Sequence, residues 1–163
     1  MKKTFAFIMA IIFSFVFSIS IFATESQTQY MPVDSKIVLF DDGSYIVETF
    51  RLFPQNNYSK SSQNTTQGTK SICYYTGDNE LEWEYQLVGI FTFIPGVSSN
   101  CISATRNLFI HSDKWSFSNE NTYHENNVAH GKGTFKKKVL FITIKTVDID
   151  VYITCDTNGN LSD

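Results

Sequence analysis

The chain has 163 residues, 16 acidic against 13 basic, and a formal net charge of −3 at pH 7. An acidic chain with no lysine or arginine stripe lacks the electrostatic footprint of a nucleic-acid binder, and that class is set aside. It is one domain's worth of sequence, enough to bury a core.

Met1-Lys2-Lys3 opens the chain with positive charge. An apolar run follows from Phe5 to Phe22, then Ala23, then the polar Thr24-Glu25-Ser26-Gln27. Positive end, greasy middle, small residue and polar start form the order of a secretory signal peptide. Residues 1–23 therefore read as a signal helix and 24–163 as a single secreted β domain. An uncleaved anchor is the alternative, because the run is about as long as the shortest spanning helix. No cysteine follows the run to accept a lipid, and residues 158–163 carry no hydrophobic tail. The expected location is extracellular or loosely cell-surface associated, with membrane contact only through the signal segment before cleavage. Cleavage after Ala23 removes two lysines and no acid, leaving a charge of −5.

Lys36 to Phe40 and Tyr45 to Leu52 flank Asp41-Asp42-Gly43-Ser44, and Asp-Gly between two β-rich runs predicts a hairpin. Residues 53–70 are almost all Gln, Asn, Ser, Thr and Lys and read as a mobile polar loop. Ser71–Tyr75 and the strand beginning at Leu81 predict a second hairpin through Thr76-Gly77-Asp78-Asn79. From Leu81 to Phe93 the odd positions Leu81, Trp83, Tyr85, Leu87, Phe91 and Phe93 alternate with Glu82, Glu84 and Gln86. That period of two is a strand with one buried face. Gly89 interrupts it and suggests a bulge or bend there, by which one long strand could serve two sheets. Cys101 to Ile110 reads as a further strand. Ser112 to Gly131 is polar and Asn-rich, a loop or a short strand with Trp115 and Phe117 as anchors. Val139 to Ile144 is apolar on both faces. Val147 to Cys155 alternates cleanly, and the phase slips near Lys145-Thr146. The expectation is an all-β antiparallel sandwich, or a partly open barrel, of about seven strands.

Cys73, Cys101 and Cys155 allow one intramolecular pair and one leftover thiol. Spacing cannot choose among the three pairings. Cys101–Cys155 is favoured because Cys101 begins one strand and Cys155 ends another. Closing that separation would stabilise the fold by about 4 kcal/mol in the chain-entropy view.

No stretch carries a catalytic or cofactor signature, so no cofactor, metal or catalytic residue is assigned. His124 and His130 are six apart and cannot act as the two helical ligands of a zinc protease. His111 with Asp113 offers only two ligands. Asp148 and Asp150 share a strand face opposite the apolar one, where solvated carboxylates are expected. Asp156-Thr157-Asn158-Gly159-Asn160 has its glycine too early for a calcium loop and reads as a turn. Lys136-Lys137-Lys138 sits beside an apolar strand, where lysines commonly keep a strand soluble. Aromatics are the one compositional excess, 15% of the chain. Most fall on the core phase of a strand. Tyr74, Tyr75, Trp115 and Tyr123 are left as candidate surface aromatics that could stack on sugars or dock a protein.

Asp42-Gly43-Ser44-Tyr45, Leu81-x-Trp83 leading to Leu87-x-Gly89-x-Phe91-Thr92-Phe93, Cys101, Ser112-x-x-Trp115, Thr154-Cys155-Asp156 and Asn158-Gly159-x-Leu161-Ser162 stand in this order. In them the chain resembles a loose group of small uncharacterised secreted β-rich proteins of Gram-positive, clostridia-like bacteria. The resemblance implies a secreted β domain and supplies no activity or site residue. The expected function is non-catalytic binding or structure outside the cell, with an envelope glycan or protein as partner. A hydrolase with acids scattered in sequence, or a bacteriocin-like factor, is the alternative.

Overall fold

A computed structural model describes residues 31–53 and 62–163. The signal segment and its cleavage site lie outside these residues. The described chain is all β, with nine strands in two antiparallel sheets and no closed barrel. The five-stranded sheet holds β1 (Met31–Leu39), β2 (Tyr45–Leu52), β3 (Asn64–Tyr75), β4 (Leu81–Ile94) and β5 (Ser98–Ile110) in that order. The four-stranded sheet holds β6 (Trp115–Glu125), β7 (Val128–Val139), β8 (Ile142–Cys155) and the two-residue β9 (Leu161–Ser162). Every described strand pairs only with its sequence neighbours, so the fold is two meanders joined through residues 111–114.

The turns follow their residues. Gly43 takes a φ of 79° in the β1–β2 turn, and Asn79 and Asn126 take the left-handed region in the β3–β4 and β6–β7 turns. Glycine and asparagine tolerate that backbone best. Asp156 accepts the backbone N–H groups of Asn158 and Asn160, both at 2.8 Å, so 156–160 is a self-capped turn.

Three expectations about the strands need correction. Residues 64–70 are not loop but the first half of β3, paired in register with Phe93 to Leu87 of β4. Their polar side chains hid a strand that pairs with β4 along its length and with β2 from Gly68 onward. Residues 115–131, read as a loop or a short strand, hold the full eleven-residue β6 and the start of β7. β4 stays in one sheet throughout; its register shift falls between Ile90 and Phe91, one residue past Gly89. Gly89 instead makes room, since a Cβ there would lie 2.6 Å from the Phe91 ring and 3.1 Å from Ala129.

The core lies between the sheets. Trp83, Tyr85, Leu87 and Phe91 of β4 are fully buried, as their alternation predicts. The Trp83 and Phe135 rings stack with centroids 3.7 Å apart and planes 6° from parallel. Against this wide row β7 presents Ala129, Gly131, Gly133 and Phe135. A Cβ on Gly131 would strike the Tyr85 hydroxyl, and one on Gly133 would strike the Phe117 ring. The two glycines are notches that let large aromatics reach the β7 backbone.

Two of the four candidate surface aromatics belong to this core. Tyr74 is buried, packs on Trp83 and Trp115 at 5.3 and 5.0 Å, and donates its hydroxyl to Ser44 Oγ at 2.8 Å. Trp115 is buried and donates its indole N–H to Glu82. Both rings are amphipathic, and a polar partner on another element let each go inside.

The expected Cys101–Cys155 disulfide is also corrected: all three cysteines are free thiols. The two do approach one another. Cys101 N donates to Asn126 O at 2.7 Å and Cys155 N to Asn127 O at 3.0 Å, so they straddle the β6–β7 turn. Each sulfur instead lies 3.4 Å from a carbonyl of its own chain segment, Ser103 O and Asp156 O respectively. Burial pushes the Cys155 thiol up to about 12 and raises Cys101 as well, which disfavours the thiolates needed for exchange.

Candidate functional site

β8 is nearly an edge strand. Among the described residues β7 pairs along one side of it, while β9 covers only Thr154 and Cys155 on the other. A groove of about 420 Å³ runs beside the uncovered stretch, between β8 and the inner face of β1–β3. Its wall is Asp148 to Tyr152, its far rim Ser35 and Lys36, and its floor Ile46, Glu48, Lys70 and Ile72, with Asp163 at one end.

Lys70 is the unexpected feature. Strand alternation places it on the core face of β3, between Gly68 and Ile72, and it is buried. A buried ammonium needs partners. Lys70 Nζ pairs with Glu48 Oε2 at 3.1 Å and also with Asp163. Burial alone would lower its pKa, but the hydrogen bonds to these carboxylates outweigh it and hold the ammonium above its ordinary value. It is therefore an anchored ammonium donor on the floor of the groove, held by two carboxylates.

A second knot ties the same edge. Lys145 Nζ, at the start of β8, donates to Asp42 Oδ2 at 2.7 Å and Ser44 Oγ at 2.6 Å, and lies 4.1 Å over the Phe40 ring. Asp42 is held well below the usual carboxylate range by its hydrogen bonds to Lys145 and Ser44. The aspartate and the hydroxyl of the β1–β2 turn thus clamp that turn to β8.

The groove opens onto the solvent face of the four-stranded sheet. Asp148 accepts from Thr134 Oγ1 at 2.7 Å, and Asp150 pairs with Lys132 at 2.9 Å, so the expected solvated carboxylates stand on that face. Tyr152 is half exposed and pairs in register with His130, which in turn pairs with Tyr123. The Tyr123 and His130 rings stack at 4.7 Å, 10° from parallel. Three rings thus cross β6, β7 and β8 in one row.

Of the predicted surface aromatics, Tyr123 belongs to this row. Tyr75 is on the outer face of the other sheet, stacked on Tyr45 at 5.0 Å, away from the groove. Cys73 shares that outer face, half-buried, with burial pushing its thiol up to about 11. Tyr152, Lys70 and Glu48 were missed. Tyr152 had a usable signal: it holds the solvent phase of an alternating strand. Lys70 had none, because its place depends on the strand that the polar run 64–70 disguised. Among the described residues no group of three His, Cys, Asp or Glu is placed to hold a metal.

What the arrangement can do is hydrogen-bond a polar ligand. Fixed donors and acceptors line it, one half-exposed phenol rims it, and its walls are more polar than those of pockets that take apolar molecules. Comparison of the chain with protein-family models, with curated proteins and with solved structures finds no match.

Proposed function

We propose that this is an exported, non-catalytic β-sandwich that binds a cell-envelope glycan in the groove beside β8. The supporting observation is the groove itself, with the anchored Lys70 on its floor and the half-exposed Tyr152 on its rim. Hydroxyl-rich ligands are taken by such a combination, polar groups reading the hydroxyls and an aromatic ring covering a sugar's C–H face. The export expected from residues 1–23 would bring the protein to such ligands, and the resemblance to secreted β proteins is in keeping with it.

The test is titration of the folded protein with soluble peptidoglycan fragments and wall polysaccharide, followed by calorimetry. Saturable binding that falls roughly tenfold or more in Tyr152→Ala is expected. Absence of saturable binding to any envelope glycan, or binding that Tyr152→Ala leaves unchanged, would overturn the proposal.

A hydrolase is the second reading, favoured by the four carboxylates Glu48, Asp148, Asp150 and Asp163 around one groove. Each already has a partner: Glu48 and Asp163 take Lys70, Asp150 takes Lys132, and Asp148 takes Thr134. Release of reducing ends from the same glycans, abolished by Glu48→Gln or Asp148→Asn, would decide for it.

A further inference from the structure

The tip of the β7–β8 hairpin breaks two rules at once. Leu140 and Phe141 form its two-residue turn, with φ of 49° and 71°. Both are left-handed, the pattern of a turn that Asn-Gly fills without strain. A bulky side chain in that region is an outlier. The same two residues are 85% and 99% exposed, beside Val139 at 43%, Ile142 at 68% and Ile144 at 59%. Four consecutive apolar residues therefore face water with no core side at all. Strain and exposure both oppose this choice for folding, and such combinations point to function.

The hairpin around the tip itself carries one sign of charge, with acids meeting it only from other segments. From Lys136 to Val147 there are four lysines and no acid. Glu82 engages Lys137 and Asp42 engages Lys145 at the base of the hairpin. Lys136 and Lys138, and Lys114, whose carbonyl accepts the Lys138 N–H at 2.8 Å, take part in no ion pair among the described residues. Asp113 is the one acid next to them in the chain.

We propose that this tip docks on an anionic lipid bilayer, with Leu140 and Phe141 inserted below the headgroups and Lys114, Lys136 and Lys138 on the phosphates. The dimensions fit. Lys138 is three residues from Phe141, about 10 Å along a strand, and interfacial elements sink their apolar side roughly 5–10 Å. Charge chooses the occupant. Two copies meeting tip to tip would face lysine with lysine, whereas an anionic leaflet attracts all three. The tip also lies at the far end of the β7–β8 hairpin from His130 and Tyr152, so docking leaves the groove region facing away from the lipid. The proposal is independent of what that groove binds.

The test uses the full chain with Phe141→Trp as a reporter at the tip, so contact made by residues 5–22 does not enter the signal. Because Trp83 and Trp115 are buried in the core, their constant emission is subtracted using the parent chain. Vesicles of phosphatidylglycerol with phosphatidylcholine should shift the emission of the introduced indole to the blue and expose it to quenching by brominated acyl chains. Phosphatidylcholine alone should do so far more weakly, and added salt should reverse the effect. Lys136→Gln with Lys138→Gln should weaken the response and flatten its salt dependence. Leu140→Asn with Phe141→Gly, followed by sedimentation with vesicles, should lose at least roughly tenfold in tip-dependent binding. That pair supplies the residues the turn prefers, so its melting temperature should hold or rise, which separates lost docking from lost folding. Unchanged reporter emission with anionic vesicles, equal response to neutral ones, or a blue shift that follows protein concentration without lipid would overturn the proposal. The last result would assign the tip to a second copy of the chain.

Discussion

The Trp115 indole Nε1 donates to Glu82 Oε2 at 2.8 Å, joining the first residue of β6 to the second of β4 across the sandwich. Lys137 Nζ reaches both oxygens of the same carboxylate, at 2.9 and 2.8 Å. One buried anion therefore serves a tryptophan, a lysine and the passage between the two sheets, where His111 N also bonds Glu82 O at 2.8 Å. Glu82→Ala should cost about 3 kcal/mol, because it strands a half-buried ammonium and an indole N–H. Glu82→Gln keeps the indole's acceptor and should lose less. Urea titration followed by tryptophan fluorescence measures both.

The glycine notches of β7 predict a penalty for adding one methyl group. In Gly131→Ala the new carbon meets the Tyr85 hydroxyl deep between the sheets, where nothing flexible can yield. A loss of about 1–3 kcal/mol is expected, as for other overpacked cores. The double variant with Tyr85→Phe should recover part of it. Thermal melts of the two single variants and the pair form the cycle that checks this.

Acid stability has named sources. Asp42 is held low by its hydrogen bonds to Lys145 and Ser44, and Glu120 by its paired hydrogen bonds from Arg106. A carboxyl whose folded pKa is depressed stabilises the fold fully above its unfolded value, about 4. That contribution is lost as pH falls through the folded value. Both groups are partly exposed, so each contributes at most about 1 kcal/mol. Stability should decline below about pH 4, and Asp42→Asn should lower the plateau at neutral pH while flattening the decline. Guanidinium titrations from strongly acidic to neutral pH read out that slope.

Thiol chemistry separates the three cysteines. Cys73 is half-buried with its thiol pushed up to about 11, so a disulfide reagent should modify it slowly at neutral pH and faster as pH rises. Cys101 and Cys155 should react only on unfolding. The expected count is three thiols in denaturant and one in the native state. Two missing thiols in denaturant would mean that Cys101 and Cys155 join after all.

The sandwich was legible wherever apolar residues alternate with polar ones. β4 and β8 could be read because Trp83, Tyr85, Leu87 and Val147, Ile149, Val151 mark one face in steps of two. β7 alternates just as strictly, but its inner face is Ala129, Gly131 and Gly133, which hydrophobicity does not register as core. Their partners Tyr85 and Phe117 fill the space that their own side chains leave empty. The first half of β3 was hidden for a different reason: Thr66 and Lys70 go inside, and what admits Lys70 is the Glu48 and Asp163 carboxylates, supplied by other segments. The candidate groove inherits that blindness, since it is made where β8, β2 and β3 meet. Of its lining, Asp148 and Asp150 could be read as the wet phase of an alternating strand, and Tyr152 stands on that same phase.

Since no described strand pairs outside its own meander, residues 31–110 hold one complete sheet and residues 115–163 the other. Each strand finds its neighbour as soon as the next stretch of chain is free, so a polypeptide threaded N-terminus first could zip one layer before the second emerges. The last event is then docking of two preformed layers around Trp83 and Phe135. Cutting the chain between 111 and 114 leaves every ladder intact, and the two pieces, refolded together, become a split protein whose reassembly reports on that docking alone.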